Sequence, residues 1–192
     1  MRLAITILGV DHDFQHNDRT GDFRKFVCAQ LDKAVFDLVA EEAEETDCTV
    51  GQQVALDRSI RWLGMDADQS DRIRLGIHDK LVNRPNRLIF EGDLCVGQRG
   101  RYLPDADAVR EKLWVSRILA FKPMTALVIC GLLHMESLAG RLTTQNCEVL
   151  QTNACATEWY KEHYGETMLF LDTDGNLWYE HRYKVPLPIF PR

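Results

Sequence analysis

The sequence predicts an α/β fold with a mainly parallel central sheet flanked by helices. Two apolar runs, at residues 3–8 and 125–130, end alike, with a glycine and, three residues later, a histidine. A near-continuous apolar run bounded by glycine is typical of a strand buried on both faces of a parallel sheet. After the first run and its polar loop, apolar residues at helical spacing over 22–33 indicate an amphipathic helix.

The remaining elements follow from the same patterns. They are a strand at 35–40, a short helix at 49–58, a weaker strand at 59–65, a charged turn and short helix at 66–76, a long helix from Pro104 to before Pro123, a short helix at 136–142, a strand at 147–150 and a helical turn at 157–164. Repeated glycine and proline over 83–104 indicate an inserted loop region. The turn residues at 172–176 predict a C-terminal β-hairpin over 167–185.

Composition fits one globular domain over residues 1–192. Hydrophobic residues make up 45% of the chain and charged residues 27%, which excludes a disordered or membrane-embedded protein. The net charge of -6 argues against a nucleic-acid binder, which needs a basic surface, but leaves a small anionic substrate open. The six cysteines form no Cys-x-x-Cys pair, and this favours a reduced, cytoplasmic protein. No apolar run approaches the ~20 residues that a bilayer crossing needs, so no membrane partner is expected.

Ionisable side chains follow three predicted strands at the point where each strand ends. His12 and His134 close the two Gly-x-x-His segments, while Glu41 and Glu42 end the second strand. Because the carboxyl ends of parallel strands meet at one edge of a sheet, we expect these groups to lie close together. The two histidines, together with Glu41 or Glu42, would form either a divalent-metal site, for Mn, Co or Zn, or a metal-free acid/base site. Structural caps of two loops are the alternative.

The loop after the first strand carries two further candidates. Asp11 directly precedes His12 and is a candidate metal ligand or supporting residue. His12 and His16 have the spacing of a helical metal pair, but this loop is not expected to be a helix. His16 is therefore assigned to solvent or to the rim of the site.

The long helix contributes Arg117 as a candidate. Val109, Leu113, Arg117 and Phe121 fall four residues apart along one stripe of that helix. A guanidinium on a core-facing stripe is costly unless it is paired. Arg117 is therefore expected either in a structural salt bridge or at the same acidic site.

These residues together resemble the TraB, Tiki, erythromycin esterase and ChaN-like superfamily, including its small bacterial members. That superfamily shares an α/β core with two Gly-x-x-His motifs, a strand-end glutamate and an arginine on the helix before the second motif. The resemblance covers the core to about residue 150 without the insertion. It implies a site of His12, Glu42 with Glu41 as the neighbour that could replace it, Arg117 and His134.

The activities within that superfamily leave several functions open. Tiki-like members are metal-dependent proteases, erythromycin-esterase-like members hydrolyse with histidine and no essential metal, and ChaN-like members bind haem. The leading hypothesis is therefore a hydrolase of this kind, acting on a small molecule or peptide, and a homodimer formed through the insertion and the C-terminal hairpin stays open. A non-catalytic protein that binds a small molecule, a metal or haem in the same pocket is the alternative. This chain departs from the family in its shorter length and in Asp11 before the first histidine.

Overall fold

The computed structural model describes residues 2–16, 18, 20–76, 89–91, 94–101, 104–164, 166–171 and 177–183. Over these residues the strands are β1 Ala4–Val10, β2 Leu38–Glu41, β3 Arg61–Gly64, β4 Ile89–Glu91, β5 Leu94–Arg101, β6 Thr125–Gly131, β7 Glu148–Asn153, β8 Glu166–Leu171 and β9 Leu177–Tyr183. The α-helices are α1 His12–His16, α2 Asp22–Leu31, α3 Val50–Asp57, α4 Gln69–Leu75, α5 Pro104–Ala120, α6 Met135–Thr144 and α7 Glu158–Tyr164.

The chain divides into two compact units. The first comprises Met1–His78 and Asp105–Ala154, and the second comprises Asp79–Pro104 and Cys155–Arg192. That both units fold together as the single domain predicted over 1–192 stays a prediction.

The first unit is built on a five-stranded sheet with the order β3-β2-β6-β1-β7. Every neighbouring pair in it is parallel, which confirms the predicted α/β class. The central strands β1 and β6 are apolar because both of their faces are covered, and Ile7, Leu127 and Val128 are fully buried. In register, Val10 pairs with Gly131 and Glu41 pairs with Ile129. The carboxyl ends of β1, β2 and β6 therefore meet at one edge of the sheet.

The second unit contains a four-stranded antiparallel sheet with the order β4-β5-β9-β8. Strands β8 and β9 pair antiparallel, which confirms the C-terminal hairpin predicted over 167–185. The three-residue β4 and the eight-residue β5 lie within 83–104, so this segment is not the loop region that the sequence predicted, and β5 pairs with β9. The turn residues 172–176 on which the hairpin prediction was based lie outside the described residues.

A short helix replaces the loop that the sequence predicts after β1. Helix α1 begins at His12 and ends at His16, so the expectation that this segment is not helical was wrong. The Phe14 backbone N–H donates to the Asp11 carbonyl at 3.0 Å. The Phe14 ring is 4% exposed and packs against Phe23, with ring centroids 6.4 Å apart. The helical turn buries the one apolar side chain among the five residues of α1, whose other four members are polar.

Helix α5 buries a different face from the predicted stripe. Its buried residues are Glu111, Trp114, Val115 and Ile118, at spacings of three and four, and Phe121 is exposed. Glu111 therefore points into the protein from a face that lies outside the predicted stripe. Across the described part of the chain, no helix has both the length and the apolar character that a bilayer crossing requires.

Candidate functional site

The carboxylate of Glu42 lies at the carboxyl edge of the parallel sheet. Glu42 follows β2 directly, and its backbone N–H donates to the Ile129 carbonyl at 2.8 Å, which ties the strand end to β6. The Gly131 N–H donates to Glu42 Oε2 at 2.8 Å, and the Arg110 guanidinium donates to Oε1 at 2.6 Å. With its side chain 3% exposed, Glu42 is held by a backbone donor and a cation.

Both predicted histidines face this carboxylate, one on each oxygen. His12 Nε2 lies 3.6 Å from Glu42 Oε2, and His134 Nε2 lies 3.5 Å from Oε1. The two rings differ in access, because the side chain of His12 is 49% exposed and that of His134 is 7% exposed. The structure thus brings together His12, Glu42 and His134, with His12 on the solvent side.

The glycine at the end of each Gly-x-x-His strand lies under a side chain from the loop that follows the other strand. A Cβ on Gly131 would lie 2.5 Å from His12 Nε2. A Cβ on Gly9 would lie 1.9 Å from Met135 Sδ, and Met135 directly follows His134. At both positions a side chain passes directly over the backbone, so any larger residue would have to displace it.

His134 is held from behind by a buried carboxylate. Its Nδ1 lies 2.9 Å from Glu111 Oε1, and Arg141 donates to the other oxygen of Glu111 at 2.8 Å. The ring also meets Trp114 edge-on, with centroids 4.8 Å apart. Burial alone would lower the pKa of His134, but the Glu42 charge and the hydrogen bond that Nδ1–H donates to Glu111 outweigh it and raise that pKa. Glu42 and Glu111 therefore stabilise the protonated ring of His134 against the cost of its burial.

Arg110 is the cation that neutralises this edge of the sheet. Its guanidinium donates to Asp66 at 2.9 and 3.1 Å, to Asp107 at 3.3 Å and to Glu42. Burial would raise the pKa of Glu42, but the charges of His12, His134 and Arg110 lower it to about 2. Glu42 is consequently ionised at neutral pH.

Arg117, the predicted site arginine, lies elsewhere. Its guanidinium donates to the backbone oxygen of Asp66 and to the Asp71 carboxylate. This is the structural salt bridge that the sequence left open as an alternative. The guanidinium that contacts Glu42 comes from Arg110, two helical turns earlier on α5.

Glu41 belongs to a separate network. Its Oε2 accepts from Thr49 and, at 3.2 Å, from Trp62 Nε1, while its Oε1 accepts from Gln15 Nε2 at 3.3 Å. Consecutive side chains of an extended strand project to opposite faces, so Glu41 and Glu42 diverge. Burial raises the pKa of Glu41, against the hydrogen bonds that it accepts.

The other two predicted candidates occupy the first turn after β1. Asp11 is 5% exposed, and its carbonyl begins the α1 turn. His16 ends α1 and is exposed, as expected from the sequence.

The arrangement of donors favours ion pairing over metal ligation. Within the described ranges, no group of three or more His, Cys, Asp and Glu side chains is placed to hold a metal ion. Both oxygens of Glu42 already accept hydrogen bonds, from Arg110 and from Gly131. A divalent ion between His12 and His134 would also lie beside the Arg110 guanidinium, so the set fits a metal poorly as it stands.

Three residues at this edge of the sheet were not among the site residues predicted from the sequence: Gln15, Arg110 and Glu111. A signal for two of them exists on α5, where Asp107, Arg110 and Trp114 recur at spacings of three and four beside Glu111. Charged groups on the same face as a tryptophan indicate a buried ion-pair network. Gln15 carried no signal, because the segment around it was not expected to be a helix.

Comparisons of the chain with protein-family models, with curated proteins and with solved structures give no match.

Proposed function

We propose that the protein is a cytoplasmic hydrolase, related to the TraB, Tiki, erythromycin esterase and ChaN-like superfamily, that activates water without a metal. The observation that carries the proposal is the meeting of His12 and His134 at the two oxygens of one buried, ionised carboxylate. A half-exposed imidazole beside a buried carboxylate is an arrangement suited to general acid/base catalysis.

Water activation follows from the gap between His12 and Glu42. At 3.6 Å, Nε2 and Oε2 are too far apart for a direct hydrogen bond but close enough to share one water. Glu42 accepts one hydrogen bond from that water, and His12 accepts its second proton as the oxygen attacks an acyl or phosphoryl centre. His12 then returns the proton to the leaving group, so that atoms and charge balance.

The cations supply electrostatic support for this step. His134 faces Glu42 Oε1 and has a raised pKa, so when protonated it offsets negative charge that develops at the substrate. The charge of Arg110 is already matched by Glu42 and Asp66. The half-exposed side of the His12 ring is therefore where a small-molecule or peptide substrate would approach the site.

The test is turnover of a panel of esters, amides and phosphoesters by variants at the histidines. We expect His12→Gln and His134→Gln to lose about 10²-fold or more, the usual contribution of an acid/base residue. His16→Gln is the matched control, because His16 is a neighbouring exposed histidine outside the site, and it should retain wild-type turnover. Retained turnover in both site variants, with the fold intact by circular dichroism, contradicts the proposal.

Two further measurements separate the alternatives. Elemental analysis of protein purified without chelator tests the metal-dependent version. That version predicts stoichiometric Mn, Co or Zn in the wild type and its loss in the His12→Gln/His134→Gln double variant. Native mass spectrometry tests the non-catalytic version, in which a small molecule or haem co-purifies. There, Glu42→Gln would change affinity, and the panel would show no turnover.

A further inference from the structure

We propose that Gln15 and Glu41 are positioning residues that hold the His12 ring with Nδ1 protonated and Nε2 as the proton acceptor facing Glu42. This inference rests on the proposed function, because it assigns the reactive nitrogen of the proposed base. It also gives a role to Glu41, which the catalytic proposal does not use.

A continuous chain of contacts runs from the His12 ring to Glu41. His12 Nδ1 lies 2.8 Å from Gln15 Oε1, and Gln15 Nε2 donates to Glu41 Oε1 at 3.3 Å. Residues three apart on a helix share one face, so α1 places the Gln15 amide directly behind the ring. Gln15 and Glu41 are both 0% exposed, and this protects their hydrogen bond from competing water.

The orientation of the Gln15 amide follows from the acceptor that Glu41 presents. Oε2 of Glu41 is occupied by two donors, Thr49 and Trp62, and Oε1 accepts the Gln15 amide nitrogen. With its NH₂ group on the carboxylate, Gln15 turns its amide oxygen to His12. An amide oxygen only accepts hydrogen bonds, so the facing Nδ1 must carry the proton.

The opposite side of the ring points the remaining nitrogen at Glu42. His12 Nε2 lies 3.6 Å from Glu42 Oε2, over the backbone of Gly131. In the neutral ring only one nitrogen is protonated, so a proton fixed on Nδ1 leaves the lone pair on Nε2. The ring then presents an acceptor at the place where the shared water would sit.

The two histidines differ in the groups behind them. His134 Nδ1 contacts the charged Glu111, whereas His12 Nδ1 contacts the uncharged amide of Gln15. A carboxylate partner stabilises an imidazolium through its charge, and an amide fixes the tautomer without adding charge. The partner of each Nδ1 therefore suits His134 to hold a second proton and His12 to present an acceptor.

The experiment is a long-range ¹H–¹⁵N correlation of the histidine rings in protein labelled with ¹⁵N-histidine. The His12 signals are assigned as those that disappear in His12→Gln. The spectra are recorded at a pH at which the ¹⁵N chemical shifts of His12 show one unprotonated ring nitrogen. We expect the Nδ1-protonated tautomer in the wild type. A wild-type ring protonated at Nε2 overturns the inference.

Variants then test the two positioning residues. Gln15→Met keeps the volume of the side chain and removes the acceptor, so we expect the Nε2-protonated tautomer to appear. Glu41→Gln removes the fixed acceptor for Gln15 and should give a mixture of tautomers, which provides the test if Gln15→Met does not fold. Gln145→Leu, at an exposed glutamine, is the control. An unchanged tautomer in the folded variants overturns the inference.

Turnover separates this inference from the proposed function. A positioning role predicts that Gln15→Met lowers kcat by roughly 10-fold, with KM little changed. If the tautomer is as expected but His12→Gln retains turnover, the proposed function fails and the assignment of the ring stands. If His12→Gln loses turnover but the wild-type ring is protonated at Nε2, the function stands and this inference fails.

Discussion

The close approach of His12 to Gly131 makes Gly131→Ala a sharp test of the site. A Cβ on Gly131 would lie 2.5 Å from His12 Nε2 and 3.3 Å from Glu42 Oε2. Ordinary contacts between heavy atoms begin near ~3.5 Å, so the ring must move by about 1 Å. The backbone at Gly131, with φ -56 and ψ 143, is open to any L-residue, so the effect acts through the displaced ring alone.

The expected result is a large loss of turnover with a small loss of stability. A displacement of about 1 Å at a reacting group costs on the order of 10²-fold in rate. His12 is half exposed and can swing toward solvent, so the cost in free energy of unfolding should be about 1 kcal/mol, the low end for overpacking. In a chain of this size that is a fall in Tm of roughly 2–4 °C.

Gly9→Ala is the matched control, with the same substitution at the same position of the other motif. Its Cβ would lie 1.9 Å from Met135 Sδ, and Met135 belongs to the hydrophobic core. It should therefore reduce stability more than Gly131→Ala and shift the His12 ring signals less. The reasoning is refuted if Gly131→Ala keeps wild-type His12 signals and turnover, or if Gly9→Ala changes them equally in folded protein.

Two other predictions concern the ion pairs. Because the pKa of Glu42 is lowered from 4.5 to about 2, its contribution to stability is present above pH 4.5 and is lost as the pH falls toward about 2. Urea unfolding at several pH values should therefore show a free energy of unfolding that falls over this range. The Glu42→Gln variant should show a smaller fall. Arg110→Met leaves Glu42 and Asp66 without their shared cation, so we expect a loss of about 3–5 kcal/mol in urea unfolding. Arg117→Met removes a more exposed pair with Asp71 and should cost less; equal losses would count against Arg110 as the central cation.

The part of the site that lies at strand ends could be predicted from the sequence. A parallel sheet aligns its carboxyl ends, so His12, Glu42 and His134 had to come close once their strands were recognised. The choice between Glu41 and Glu42 could not be made, because it depends on where β2 ends. The structure ends β2 at Glu41, and the alternation of a strand then sends the two side chains in opposite directions.

The contribution of α5 could not be predicted from a spacing of four alone. At about 100° per residue, four residues exceed one turn by about 40°, so a stripe at strict fours drifts around the helix. The buried face of α5 alternates steps of three and four through Glu111, Trp114 and Ile118. It carries a carboxylate because Glu111 has His134 and Arg141 as partners, which come from a later part of the chain.

The pairing of each glycine with the other strand's loop predicts a specific coupling between Gly9 and Met135. Met135→Ala alone opens a cavity and should cost about 2–5 kcal/mol. In that background a Cβ on Gly9 no longer meets the Met135 sulfur, so Gly9→Ala should cost little. A double-mutant cycle in urea should therefore give a coupling of at least about 1 kcal/mol. Additive losses would mean that Met135 moves aside freely, and that the glycine after β1 is not required by the loop after β6.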